Sequence, residues 1–369
     1  MNVFVITTAI IMMLFSIGQK PVDYVAIGTQ KAKIRETSTV FFVIGAIFFA
    51  YVVGQRYGYG DTFAYIDTFY RTNETIAESL SKFQLGEEWL FKFYIVVVKN
   101  FVENDAEIFL EITAFLTIIP IMYFYYNYSG DLKFAFYLFV TTGCWDHTMN
   151  GLRQYLACSL LLIGLPLLYK KRWYLYLPLV VAVAQIHTSA YIFLAIYFIA
   201  NMPAFGKFTK MILIFSILLA LSTPITGDYI QKFFFENSEY GERYGNSDWD
   251  YGINIFRVLV FSVPMVLAYI NRGKMRDKYK YYDIVFNMSL LAFITTLLGL
   301  VSAVYARLNL YFELFNVVIL VWNINEMNRE EKYKWIKPAA YCMYTLYFIY
   351  QMVFTYSMQW HQPGLFRFY

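Results

Sequence analysis

Apolar residues come in long runs along this chain, separated by short polar stretches rich in lysine, arginine and tyrosine. The runs are too long and too uniform for period-two strands and predict helices that meet lipid. They place spans at 2–18, 38–54, 106–126, 132–147, 150–169, 208–226, 253–270, 284–301, 304–323 and 337–357. Two segments fit less simply. The run 173–201 is too long for one crossing and short for two, so it reads as a tight hairpin or re-entrant pair turning near His187. The run 88–103 carries Lys92 and Lys99 and reads as a half-buried, interfacial helix.

Composition strengthens this picture. Of 369 residues, 59% are hydrophobic and 15% charged, where a soluble domain carries about 25% charged residues. The chain therefore reads as an all-α polytopic integral membrane protein, since the alternation of an outer-membrane barrel is absent. Aromatic residues make up 21%, and many tyrosines fall at run ends, where the ring suits the headgroup layer. The first run lacks a basic leader and a small-residue cleavage site, so it reads as a retained span. Cys144, Cys158 and Cys342 are scattered without a C-x-x-C pair and read as small membrane residues.

Charge sets the expected orientation. The basic loops 18–38, 169–173, 205–210, 271–282 and 328–337 belong in the cytoplasm by the positive-inside rule. If 173–201 crosses twice and 88–103 does not cross, the chain makes about 12 crossings with both termini outside. Residues 1–369 then form a single transmembrane domain with outer loops at 54–105 and 227–252, the latter rich in acids. Lysine-rich loops alone set this orientation, yet it puts Arg56, Asp61, Asp146, His147, Arg153, His187, Arg257 and Arg307 on one outer face.

Arg153 is the sharpest candidate. In "HTMNGLRQYLAC", Asn150 is the expected N-cap and Gly151 opens the helix. A cation in the first turn opposes the helix dipole but is well placed once an anion arrives. Arg307 in "SAVYARLNLYFELF" repeats the pattern, Arg257 in "YGINIFRVLV" is a third case, and "ENDAEIFLEI" shows the acidic opening a dipole prefers. The planar guanidinium fork suits a diphosphate at the outer membrane boundary; the competing reading is snorkelling to headgroups. His187 ends an apolar run, either as a satisfied structural residue or as a proton acceptor or phosphate contact. Ser189 is placed to hydrogen-bond locally at the start of the following helix.

In "GQRYGYGDTFAYIDTFY", Asp61 either pairs with Arg56 or orients or deprotonates a sugar hydroxyl. Tyr57, Tyr59 and Tyr65 suit sugar stacking or an interfacial belt. Asp146 and His147 read mainly as a solvated loop. Glu111 and Glu313 lie inside spans and need partners there, with Arg257 or Arg307 available. No phosphate-cradling glycine loop or HExxH motif is present, and no soluble domain is left for nucleotide or nucleic acid. The substrate is expected to be lipid-linked.

At these residues the chain resembles the EpsG family of bacterial exopolysaccharide and O-antigen polymerases, the Wzy-like group. Four segments carry the resemblance: "RYGYGDTFAYIDTFY" with Arg56, Gly60, Asp61 and Tyr65; "MNGLRQYLA" with Asn150, Gly151, Arg153 and Gln154; "IHTSAYIFL" with His187, Ser189 and Ala190; and "ARLNLYFELF" with Arg307, Tyr311 and Phe312. The basic spacing after the second segment and the acidic middle loop depart from the usual pattern and leave the sugar open. The resemblance implies a metal-independent, cofactor-free membrane glycosyltransferase of GT-C type in a bacterial cytoplasmic membrane, with its site facing outward. A sugar hydroxyl of a lipid-linked repeat unit would attack the anomeric carbon of a chain held on polyprenyl diphosphate. Membrane lipid, a chain-length regulator and flippase proteins are the implied partners. Arg153, Arg307 and Arg56 are expected to bind diphosphate, His187 or Asp61 to act as base, and Gln154, Tyr311, Arg257 and His147 to touch substrate. The rival classes are a flippase for lipid-linked oligosaccharides, another lipid-linked glycosyltransferase or ligase, and a non-enzymatic membrane assembly factor. A flippase calls for internal repeats and midplane polar groups, which this pattern lacks.

Overall fold

The computed structural model describes residues 1–27, 30–102, 104–235, 253–300 and 303–368. Its helices in chain order are α1 (Asn2–Ile17), α2 (Thr39–Gly54), α3 (Thr62–Arg71), α4 (Ile76–Ser81), α5 (Trp89–Phe101), α6 (Ala106–Tyr128), α7 (Leu132–Thr141), α8 (Cys144–Met149), α9 (Leu152–Ile163), α10 (Leu165–Tyr169), α11 (Trp173–Ala184), α12 (Ile192–Ala200), α13 (Lys207–Phe235), α14 (Ile255–Ile270), α15 (Arg272–Met275), α16 (Tyr282–Leu298), α17 (Ala303–Leu308), α18 (Glu313–Met327) and α19 (Ile336–Tyr350). A helix lies over every predicted span, and the helical class stands with one addition. The basic stretch 18–38, expected as a plain loop, forms an antiparallel hairpin of β1 (Gln19–Ile27) and β2 (Gln30–Thr37), paired from Gln19↔Thr37 to Ile27↔Gln30 with a register shift between Val22 and Val25.

The spans differ from expectation in continuity. The run 132–147 breaks at Gly143, whose φ of +91° turns α7 into α8. The run 150–169 breaks at Gly164, followed by Pro166 inside α10. The run 304–323 bends by 60° between Tyr305–Tyr311 and Glu313–Met327. Periodicity registers none of these breaks, because apolar residues continue through them. Among the described residues, α6 alone has both the length and the apolarity to cross unaided; the bent pair does so if taken as one span. The 23 residues of α6 rise about 35 Å, against a hydrocarbon core of about 30 Å. Asp105 starts α6 by accepting the N–H groups of Glu107 and Ile108 at 2.8 and 3.3 Å, so the acidic opening read from sequence is a true cap. The expected outer loop 227–252 begins within α13, and residues 236–252 lie outside the described residues.

Two compact units emerge: Met1–Tyr197 with Ile324–Tyr369, and Phe198–Asn323. In the first, α2 packs on both α1 and α6. Gly45 passes so close to the Phe15 ring that a Cβ would come within 2.6 Å of it, and Gly54 meets Glu111 in the same way at 2.9 Å. Small residues permit such backbone approach where no hydrophobic force separates helix from lipid. In the second unit, buried amides hold the helices: Asn287 Nδ2 donates to the carbonyls of Ile199, Ala200 and Met202 at 2.6–3.2 Å, and Asn271 Nδ2 donates to Asn323 Oδ1 at 3.0 Å.

Candidate functional site

The first unit gathers three of the four motif segments. The loop after α2 turns at Gly60, whose φ is +52° and whose missing Cβ would lie 2.9 Å from the Asn150 Cβ. Asn150 is therefore packed against this loop, and Gly151, at φ +119°, takes the N-cap position of α9. This corrects the expected Asn150 cap: the chain enters α9 through a left-handed turn that favours glycine. The Gly151 N–H favours the charged form of Asp61, so a carboxylate already stands near the positive end of α9.

Arg153 is the second residue of α9, as expected. Its guanidinium lies 6.0 Å from the Tyr65 ring centre and favours the charged form of Tyr65, and the Tyr65 hydroxyl in turn favours the charged form of Asp61. Arg153 Nη1 also donates to Glu88 Oε2 in an ion pair, and its guanidinium lies 5.6 Å from the Phe91 ring centre. Glu88 Oε1 accepts the backbone N–H and hydroxyl of Thr188 at 3.1 and 3.2 Å. Arg153 thus joins the Asp61 loop to the turn that carries His187. Sequence reading passed over Glu88, because a carboxylate opening α5 is what a helix dipole prefers. Its backbone is the signal: φ of +52° is uncommon for a residue with a Cβ.

Arg56 is 2% exposed, and its Nη1 donates to the Thr148 carbonyl at 3.2 Å. Burial lowers its guanidinium to about 10, against the raising pull of Asp61, Tyr65 and Tyr94. Burial raises the Asp61 carboxyl above the ordinary range, opposed by the Gly151 N–H, Arg56 and Tyr65. Among the described residues, neither Arg56 Nε nor Asp61 Oδ1 has a hydrogen-bond partner.

His187 caps the 3-10 turn Thr188–Tyr191. Its Nδ1 accepts the Ser189 N–H at 3.4 Å and lies 2.7 Å from Ser189 Oγ, so the local bond that Ser189 makes at this turn is to the His187 ring. A ring nitrogen that accepts an N–H is bare, which places the neutral ring's hydrogen on Nε2 and makes that atom a donor.

Asp146 and His147 differ from expectation. They are not on a solvated loop: Gly143 turns the chain into the fully buried α8. Asp146 Oδ1 accepts the Tyr59 hydroxyl, and His147 Nε2 lies 3.4 Å from the Tyr356 hydroxyl. Tyr59 is buried too, so it offers a sugar no exposed stacking face. Gln154 is buried in α9.

The C-terminal segment completes the first unit's site in a way the sequence did not suggest. Arg56 and Phe366 form an antiparallel bridge, flanked by Tyr57 N–H to Leu365 O and Arg367 N–H to Gln55 O, both at 2.8 Å. Arg367 donates to Gly54 O at 2.7 Å and to Glu111 at 3.2 Å, and Gln55 Nε2 donates to Glu111 at 2.7 Å. Glu111 therefore pairs with Arg367, where Arg257 or Arg307 was expected.

The remaining candidates lie in the second unit. Arg257 stands in the first turn of α14, 5.6 Å from the Phe261 ring centre. Arg307 lies in the last turn of α17, not the first turn of a long helix. Tyr311 is buried in the 3-10 turn that follows. Glu313 opens α18 and accepts Asn309 Nδ2 at 3.2 Å.

Comparison with curated proteins and with solved structures gave no match. One family model, described as the EpsG family, matches residues 39–362.

Proposed function

The chain belongs to the EpsG family, and we propose that this membrane enzyme of polysaccharide biosynthesis polymerises lipid-linked repeat units at the outer face of a bacterial cytoplasmic membrane. The proposed architecture is GT-C-like, with about 12 crossings and both termini outside. The observation that supports the reading best is the cluster of half-buried Arg153, Tyr65 and Asp61 with buried Arg56 at the opening of α9, tied through Glu88 to the His187 turn.

Its chemistry suits glycosyl transfer from a lipid diphosphate. The acceptor sugar's hydroxyl oxygen bonds to the donor's anomeric carbon as the bond from that carbon to the diphosphate oxygen breaks. The leaving diphosphate takes the electron pair, and Arg153, displaced from Glu88, stabilises the charge through its fork. The hydroxyl proton goes to Asp61, whose raised proton affinity fits a base. Arg56 is the counter-charge that keeps Asp61 ionised before transfer. His187 Nε2, as a donor, suits a phosphate oxygen better than a hydroxyl proton. The guanidinium groups do the work a metal does elsewhere, so polymer formation by washed membranes is expected to survive chelation.

Surface-glycan analysis of a deletion strain tests the reading. Loss of a polymerase leaves single repeat units on the outer side, transferred or still lipid-linked. Accumulation of repeat units on the inner side would replace this reading with a flippase.

A further inference from the structure

An open apolar trough of about 660 Å³ runs along α11 in the first unit. Its walls include Phe83, Leu85 and Trp89 on one side and Trp173, Leu177 and Gln185 on the other. The volume lies within the range of small-molecule sites, roughly 300–1,000 Å³. The trough is a built feature. The Trp89 indole N–H donates to Ser79 O at 2.9 Å, and its ring stacks on Phe93 at 5.0 Å. At one end Gln185 ties the walls together: its Oε1 accepts the Gly86 N–H at 2.8 Å, its carbonyl accepts the Phe91 N–H at 3.2 Å, and its Nε2 donates to Tyr191 at 2.7 Å.

That tied end adjoins the polar cluster. Glu88, which pairs with Arg153, directly precedes Trp89 in the chain, and Phe91 lies under the Arg153 guanidinium. From there the trough follows α11, whose 12 residues extend about 18 Å. A cation at one end of a long apolar channel is the shape of a site for an amphiphile with an anionic head. The amide of Gln185 is committed to the wall contacts, so the channel offers little to sugar hydroxyls and suits a hydrocarbon chain.

We propose that this trough holds the isoprenoid chain of the lipid-linked diphosphate, running along α11 from a head placed at Arg153. The proposal rests on the polymerase reading for the identity of the head group. Neither the match to the family nor the motif segments address where the chain lies: Phe83, Leu85, Trp89, Trp173 and Leu177 fall outside all four segments.

The test uses the full-length protein in phosphatidylcholine nanodiscs with a photoreactive isoprenyl diphosphate probe, its crosslinks mapped by mass spectrometry. Labelling is expected on 83–90 and 173–185, and competition by an unlabelled long-chain isoprenyl diphosphate is expected to be strong while dioleoyl phosphatidate competes weakly. Leu177→Trp, which fills the channel, is expected to cut labelling about tenfold. Ala182→Phe on the same wall provides a second filled variant should the first fold poorly. Labelling elsewhere, equal competition by phosphatidate, or unchanged labelling in a folded filled variant overturns the proposal. Binding is read without turnover, so the two readings fail separately. A deletion strain without a polymerase phenotype sinks the reaction but not a labelled trough, whereas a polymerase phenotype with no label in the trough sinks the trough alone.

Discussion

Arg153 and Arg307 present the same pattern in sequence and different surroundings in the structure. Each follows small or polar residues and precedes an apolar run. Arg153 stands in the opening turn of α9, against the positive end of the dipole, with Asp61 and Glu88 supplying negative charge. Arg307 stands in the last turn of the six-residue α17, a 3-10 turn at Asn309–Tyr311 follows directly, and the chain then bends by 60° before Glu313. The buried Glu313 opens the continuing helix, as a dipole prefers. The helix-start placement that singled out both arginines is therefore seen at Arg153 and not at Arg307. A helix start cannot be located from apolar periodicity where the run continues through a bend.

The largest expected effect is on Arg153. Arg153→Lys keeps the charge and loses the fork, and polymer yield is expected to fall by roughly 10²-fold with normal levels in the membrane. Arg307→Lys is expected to lose no more than about tenfold in the same surface-polymer assay. Equal losses would break the distinction between the two arginines.

Next in size is Glu88. Glu88→Ala removes the partner of Arg153 and the acceptor for Thr188 together, and a fall of about tenfold is expected, since the pair is only partly shielded from water. Glu88→Gln retains an acceptor for Thr188 and is expected to recover part of that loss. If Glu88→Ala instead raises polymer yield, Glu88 restrains Arg153 and does not position it.

The legibility of these features differs for physical reasons. The order of the helices and the turn at His187 follow from the apolar runs, which leave a strong signal. The neighbourhood of Arg56, Asp61 and Arg153 was legible only as a list of outer-face residues; their meeting depends on Gly60 and Gly151, whose positive φ values bring two distant loops into contact. Glu88 and Arg367 were hidden because each looks ordinary locally: one is an acid at a helix start, the other a cation near a chain end. Glu111 did announce that a partner had to exist, since an acid within a span needs one, but periodicity cannot say which cation arrives from elsewhere in the chain. Asp146 and His147 were misplaced by the reverse error, a short polar stretch taken for solvated loop when a glycine turn had folded it inward.

Glycine substitutions probe this same contrast at the level of stability. Gly60→Ala places a Cβ on a positive-φ residue against Asn150 and is expected to cost about 1–3 kcal/mol. Gly273→Ala in the second unit meets open space at ordinary φ and is expected to change stability by less than about 1 kcal/mol. Heat unfolding of the detergent-purified variants measures both, and a neutral Gly60→Ala would mean that the Asn150 contact is not what fixes the loop.

The smallest effect concerns protons in the Arg153 neighbourhood. Asp61 binds its proton more tightly folded than unfolded, because burial penalises its charge more than Gly151, Arg56 and Tyr65 offset it. Below the ordinary carboxylate range both states hold the proton, and its extra stabilisation of the folded state is fully present. As pH rises from that range through the raised folded value, the unfolded chain releases the proton first, so stability falls. Above the raised value the contribution is constant again. Asp61→Asn removes the titration and is expected to flatten this part of the pH–stability curve relative to the parent protein. Parallel curves would show that Asp61 carries its charge without penalty, and the case for Asp61 as the proton acceptor would lose its physical basis while Arg153 kept its own.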